Sequence, residues 1–311
     1  MFAFQRYEFQ SVQMGVPVNI VLYADDTALA KQASDAAFET FKRLNSIMSD
    51  YDSDSEVSQL SKKNAGEFFS VSADLFSVMK SAKHYSDISD GAFDITVGSY
   101  TKLWRRSRRQ HELPKQIYLD KAKELTGNHL WDTDEKTQRI RLKKNGIKFD
   151  LGGIAKGYAI DKAFEEIQKF GIKSVLVEAG GDLRLGDAPA AGWTIQLAGD
   201  TTVHGLQNTA AASSGDTNQF IEINAERYSH IIAPKTGLGL TTPCIVNVFA
   251  PTATQADALA SALSVLGQEK GIALAETQNG AAAKIILYEN KKSVETKNWQ
   301  KTCGGLATAV K

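Results

Sequence analysis

The chain predicts an α+β fold with largely antiparallel sheets and helices set among them. Three observations carry this. Helical and strand-like stretches mix without the strict βα alternation of a doubly wound parallel sheet. Short strands follow one another between residues 183 and 232, one pair of them across the turn Asn224-Ala-Glu226. No internal repeat or low-complexity linker interrupts the 311 residues, a length for one large domain or two of ordinary size.

Lys+Arg and Asp+Glu both count 36, so the formal net charge is zero. That disfavours a nucleic-acid binder held by bulk charge and leaves a local anion site open. Cys244 and Cys303 are the only cysteines, which excludes a disulfide scaffold and leaves at most one bridge. A metal site built on cysteine is not expected. No run of about 18 apolar residues exists, so no transmembrane segment is expected. The opening Met1-Phe-Ala-Phe-Gln-Arg-Tyr7 lacks the basic-then-apolar pattern of a signal peptide.

In chain order, residues 16–24 alternate partially and predict a strand. Asp25-Asp26 can cap a helix through about Ser49, with Ala33, Ala37, Phe41, Leu44 and Met48 on one face. In the polar loop 49–56, Ser53 or Asp54 can cap a short helix ending near Leu60. Ser72 caps a helix from Ala73 to about Ser89, which Gly91 stops. Residues 92–98 form a corner. Leu103-Trp104 then precede Arg105-Arg-Ser-Arg-Arg109. A charge run of this kind usually marks an exposed face, so we read it as a solvated insertion; phosphate or an acidic partner is the alternative. A hairpin is expected over 138–151, turning at Lys144-Asn145-Gly146. Strands are expected at 183–185, 194–197, 220–223, 228–232, 242–250 and 283–288. Helices are expected at 254–266, capped by Thr254 and stopped by Gly267, and at 269–276.

The stretch from Lys148 to Asp182 is richest in chemistry. Gly152-Gly-Ile-Ala-Lys-Gly157 has the wrong glycine spacing for Gly-x-Gly-x-x-Gly, and no Gly-Lys-Ser/Thr follows for a phosphate loop. What remains is a strand-to-helix corner whose free N–H groups can meet an anion, with close helix packing as the plainer reason for its glycines. A second corner, Gly180-Gly-Asp182, lies beyond the helix. Asp257 and Ser261 stand at i, i+4 on one helix face. Hard oxygens so spaced suit Mg²⁺; a polar exposed stripe is the plainer reading. His230, before Ile231-Ile-Ala-Pro-Lys-Thr-Gly237, is either a proton carrier near a ligand or an exposed histidine. Asp94 and Asp150 abut glycine-rich corners. Each can bind a ligand or cap backbone N–H groups.

Taken in order, these stretches resemble the FAD:protein FMN transferase family, also called ApbE. The resemblance rests on Met14-Gly-Val, Met48-Ser-Asp-Tyr-Asp-Ser-Asp-Ser-Glu56, Gly91-Ala-Phe-Asp-Ile-Thr-Val-Gly98 with Leu103-Trp104, and Asp150-Leu-Gly-Gly-Ile-Ala-Lys-Gly-Tyr-Ala-Ile-Asp161. It continues with Glu178-Ala-Gly-Gly-Asp182, Ser213-Ser-Gly-Asp216, His230 to Gly237, and Ala256-Asp-Ala-Leu-Ala-Ser261, and covers about residues 12–290. Motifs in this number and order are specific where one alone is weak.

The resemblance implies a single ApbE-like, T-fold-like domain over 1–311, with two lobes and an FAD site between them. It implies cleavage of the FAD pyrophosphate, transfer of FMN to a Thr or Ser hydroxyl of a target flavoprotein, and release of AMP, with Mg²⁺ required. Some relatives act instead as FAD pyrophosphatases, and a non-catalytic FAD-binding protein is the third reading. By position, Asp257, Ser261 and the Gly153 carbonyl would hold the metal. Met14, Tyr51, Ala92, Phe93, Asp94, Asp150, Lys156 and Ile232 would hold FAD. His230 would be the base, with Asp257 the second catalytic residue. Family members commonly work outside the cytoplasmic membrane, often as lipoproteins; no lipobox is present here. Three departures stand out. Ser261 replaces a Thr but keeps the hydroxyl. Ala233 replaces the Asp of His-x-x-Asp-Pro, which weakens support for His230. Arginines follow Leu103-Trp104 where Gly is usual.

Overall fold

The computed structural model describes residues 4–200, 202–216, 219–288, 291–303 and 308–309. Met1 to Ala3, at the start of the segment read for a signal peptide, lie outside them. Strands β1 (Gln5–Gln13) and β2 (Val16–Ala24) form a hairpin through Met14-Gly15, both at positive φ. Asp26 caps α1 (Thr27–Met48), accepting from Leu29 N at 2.9 Å. Its expected apolar positions are the buried ones. Helix α2 (Glu56–Leu60) is capped by Ser55, not by Ser53 or Asp54. Ser55 is pinned for the task, because its hydroxyl also donates to the Ser49 carbonyl at 2.6 Å. Strand β3 (Phe68–Ser70) precedes α3 (Ala73–Ile88), capped by Ser72 as expected.

The next span corrects the sequence reading twice. After Asp94 comes a 3₁₀ turn (Ile95–Val97) and then α4 (Gly98–Gln110), so the arginine run is helical. Helix α5 (Gln116–Lys123) follows. The hairpin expected over 138–151 does not form. Strand β5 (Arg139–Leu142) pairs instead with β4 (Trp131–Asp134) and β3. Residues 147–151 alternate buried and half-buried as a strand would. Their backbone bonds lead elsewhere: Asp150 N donates to Ile95 O at 2.7 Å, and Gly98 N donates to Lys148 O at 3.2 Å. The alternation was real, but its partner is the 3₁₀ turn.

Helix α6 (Ala155–Gln168) leads into β6 (Val175–Ala179) and β7 (Asp182–Leu185). Then come β8 (Trp193–Gln196), β9 (Thr202–Leu206), β10 (Thr209–Gly215), and the hairpin β11 (Phe220–Ile223) and β12 (Glu226–Ser229). Asn224 and Ala225 turn this hairpin at φ 54° and 63°. β12 stops at Ser229, short of the expected residue 232. Strand β13 (Cys244–Ala250) precedes α7 (Ala253–Thr277), capped by Thr252 and not Thr254. Within α7, Gly267 breaks the helical path at φ 74°, where the stop was expected. Strands β14 (Ala282–Leu287) and β15 (Ser293–Glu295), helix α8 (Trp299–Thr302) and strand β16 (Thr308–Ala309) close the chain.

Among the described residues the main sheet has eight strands in the order β1-β2-β6-β7-β10-β13-β14-β15. Every pairing in it is antiparallel. Val18, Ile20, Val246 and Val248 face one core with α1, α6 and α7. Val21, Ala211 and Phe249 face another, where Phe249 stacks on Trp299 at 4.9 Å. Burial on both faces explains why β13 reads as an unbroken apolar run. Cys244 and Cys303 are buried and free. Among the described residues no helix is long and apolar enough to cross a membrane.

Helices α6 and α7 meet at a glycine. A Cβ on Gly157 would collide with the Ala253 carbonyl, so only glycine permits this approach. One turn on, Asp161 accepts from Ala253 N and Thr254 N, each at 2.9 Å, and from Arg184 at 2.8 Å. It therefore ties the start of α7 to α6 and to β7. Asp161→Ala would strip these donors and leave Arg184 half-buried without its carboxylate. We expect a loss of about 3 kcal/mol, read as a lower denaturant midpoint at unchanged slope. A loss under about 0.5 kcal/mol, the scale of an ordinary surface change, would contradict this role.

Candidate active site

A cleft of about 560 Å³ opens where α4, the corner into α6, α7, the end of β10 and the turn after β12 converge. Every candidate residue from the sequence except Met14 lines it. Met14 sits in the β1–β2 turn at φ 50° and packs toward the core, while Val16 takes the place in the wall.

The floor is built by the α6–α7 contact. Gly157 N donates to Asp257 Oδ2 at 3.1 Å. Lys156 Nζ pairs with Asp182 and lies 3.7 Å from Asp257 Oδ1. Burial works against the charge on Lys156, but Asp182 and then Asp257 outweigh it and keep the amine protonated. Burial pushes the Asp257 carboxyl up to about 7, against the pull of Lys156, and Asp182 adds to the rise. Two buried carboxylates thus share one ammonium, and the closer pair is with Asp182. Asp182 is a site residue that the sequence reading misses; the glycine-rich corner Gly180-Gly-Asp182 is the signal that points to it.

Next to this cluster, a Cβ on Gly153 would lie 2.7 Å from Ser261 Oγ. Only the missing side chain lets the glycine backbone come this near the Ser261 hydroxyl. Ser261 Oγ makes no hydrogen bond among the described residues. No group of three or more His, Cys, Asp or Glu gathers as a preformed metal centre among them. The oxygen set of Asp257, Ser261 and Gly153 is mixed, and it is hard in character.

Asp94 and Asp150 serve the backbone as well as the wall. Asp94 Oδ1 accepts from Thr96 N at 2.8 Å and from Thr96 Oγ1 at 2.6 Å. Burial raises its pKa, partly offset by those bonds. Asp150 accepts from Gly152 N at 2.9 Å and Thr101 Oγ1 at 2.7 Å. Both remain on the cleft wall with Ala92, Phe93 and the half-buried Ile232.

Tyr51 projects from the rim, 81% exposed, with the Arg105 guanidinium 3.7 Å from its ring centre. Arg105 also pairs with Asp50 at 2.7 Å. The solvated-insertion reading of the arginine run is therefore corrected in part. Thr101, Trp104, Arg105 and Arg108 make one stripe of α4 and all line the cleft. Arg106 and Arg109 lie outside the wall. A helical period across 101–108 was the signal that the charges masked.

His230 follows β12 directly. Its N donates to Gln219 O at 2.9 Å, and Nδ1 lies 3.1 Å from the same carbonyl. A carbonyl only accepts, so Nδ1 carries the proton and the neutral ring keeps its lone pair on Nε2. Where the sequence lacks an Asp at 233, the Gln219 carbonyl orients the ring. The turn behind it is closed by Gly237 N to Ala233 O at 2.8 Å, and Trp104 Nε1 donates to Gly237 O at 2.8 Å. His230 reaches solvent at the cleft mouth, yet protein surrounds it on the inner side. That partial loss of water lowers its pKa, opposed by the Gln219 bond and assisted by Arg108.

A family model described as the ApbE family matches residues 14–286. This chain belongs to the ApbE family. The FAD:protein FMN transferase of Haemophilus influenzae is 31% identical, aligned over 89% of this chain and 88% of its own. The flavinyl transferase ApbE of Pseudomonas stutzeri, in its apo form, superposes with TM-score 0.87 at 26% identity, covering 98% of this chain and 99% of its own. The ApbE protein of Thermotoga maritima superposes with TM-score 0.86 at 30% identity, covering 97% and 100%. The mixed, mostly antiparallel α+β architecture is thus that of solved ApbE structures.

A depressed pKa keeps the His230 imidazole neutral at pH 7. The ring should then take its second proton, on Nε2, only as pH drops through a midpoint below the ordinary 6.5. Ring-proton NMR of the ApbE chain, titrated in the absence of ligands, reads this midpoint directly. A value at or above 6.5 would contradict the environment described here.

Proposed function

We infer that the cleft binds FAD and transfers its FMN moiety to a hydroxyl of an acceptor flavoprotein, the activity named for the relatives. The carrying observation is a base with a free Nε2 and a buried carboxylate cluster short of positive charge, both lining one cleft. In this reading the acceptor is a Thr or Ser hydroxyl and AMP is released. FAD lies between the lobe of α4 with the 230–237 turn and the α6–α7 wall. Tyr51, Ala92, Phe93 and Ile232 give the flavin an apolar and aromatic bed. Asp94, Asp150 and Lys156 offer polar contacts. Met14 stands behind the wall and bears on the ligand only through the β1–β2 turn.

His230 Nε2 takes the proton of the acceptor hydroxyl. Asp257, the Ser261 hydroxyl and the Gly153 carbonyl would hold Mg²⁺. The oxygen set suits a hard cation, and the unmatched carboxylate charge gives such a cation a reason to bind. When bound, Mg²⁺ supplies charge that stabilises the phosphoryl oxygens. Lys156 keeps Asp182 neutralised and so fixes the floor of the site.

Incubation with FAD and Mg²⁺, with and without an acceptor bearing a candidate Thr, tests the reading. AMP formed with acceptor, together with a covalently fluorescent acceptor, is expected. AMP and FMN at the same rate without acceptor would establish hydrolysis instead. Bound FAD with no AMP in either case would overturn both enzymatic readings. For the metal, Asp257→Ala should remove Mg²⁺-dependent turnover, and Mg²⁺ should no longer raise its Tm. A Tm still raised by Mg²⁺ as in the parent would place the ion elsewhere.

A further inference from the structure

The cleft wall carries three cations, and two are already spoken for. Lys156 pairs with Asp182, and Arg105 pairs with Asp50 while covering Tyr51. Arg108 lines the same cleft, is exposed, and has no carboxylate partner among the described residues. Arg105 and Arg108 stand three residues apart on one face of α4, so a single helix presents a committed guanidinium and a free one. Trp104, one turn before Arg108 on the same stripe, anchors α4 to the turn after His230 through Gly237 O.

We propose that Arg108 is a phosphate-binding residue of this chain, holding the diphosphate of FAD beside His230. The proposal rests on the functional reading above and adds the residue that meets the substrate's own charge. A planar guanidinium gives two parallel donors to a phosphate, which an ammonium does not. Arg108, Lys156 and His230 all line this one cleft, and the two cations both favour the neutral form of His230. During transfer the acceptor oxygen bonds to the FMN phosphorus. The bond from that phosphorus to the bridging oxygen breaks, its electron pair leaves with AMP, and the hydroxyl proton goes to His230. Negative charge grows on the departing AMP oxygen, within reach of the unpaired cation.

The test is a pair of binding titrations on the full chain without divalent ions, using FAD and phosphate-free riboflavin, read by flavin fluorescence. Arg108→Gln should weaken FAD at least about tenfold, the scale of a lost charge-assisted bond, and leave riboflavin unchanged. Arg105→Gln removes one charge from the same face and should weaken both flavins together. Arg108→Lys should recover part of the FAD affinity. Equal losses for FAD and riboflavin in Arg108→Gln, or no loss for either, would overturn the proposal. A parent chain that binds neither flavin would overturn the functional reading itself. Unchanged Tm and circular dichroism in the variants confirm that binding alone is being read.

Discussion

The contact between the starts of α6 and α7 carries most of the site. Without a side chain at Gly157 the two helices approach until the Ala253 carbonyl fills the space a Cβ would need. That approach sets Gly157 N on Asp257 and brings Lys156 between Asp182 and Asp257. It also faces Gly153 toward Ser261. Asp161 holds the geometry from behind by taking the free N–H groups at the start of α7. A shift of even an ångström here would separate groups that belong to two distant parts of the chain.

The opposite wall is assembled differently. Helix α4, the Tyr51 rim and the 230–237 turn are joined by side-chain bonds and backbone turns rather than by close helix packing. Trp104 links α4 to the turn, Arg105 links α4 to Asp50 and Tyr51, and the Gln219 carbonyl sets the imidazole. One wall is rigid by steric contact; the other is oriented by polar links. In the proposed function the ligand lies between them, and His230 belongs to the second.

The sequence made the architecture legible where period and caps were strong. Helices α1 and α3 carried both, and Asp26 and Ser72 cap them as read. It failed where another force decided. β10 is mostly alanine and serine, because Ala210 and Ala212 must let α7 lie close on the sheet. Small residues carry little strand signal. The 147–151 segment had a strand's alternation, but its partner was a 3₁₀ turn some fifty residues away. Four arginines hid the helical stripe of α4. The residues that motif resemblance assigned all line the cleft except Met14, yet it gave no role to Asp182, Arg105 or Arg108. Two of these lie where this chain departs from the family pattern, so resemblance had nothing to say about them.

The shared ammonium has a consequence for how such a chain is kept in selection. Asp257 is buried next to Asp182 with only Lys156 between them, and burial alone strains its charged form. An unreactive protein of this fold would gain stability by replacing that carboxylate with an uncharged side chain. Retaining it gives up folding free energy in the empty state, which a cation bound there under the proposed function would return. On that reading the site is a standing trade-off, in which a carboxylate that is costly to bury is kept for the ligand it would receive.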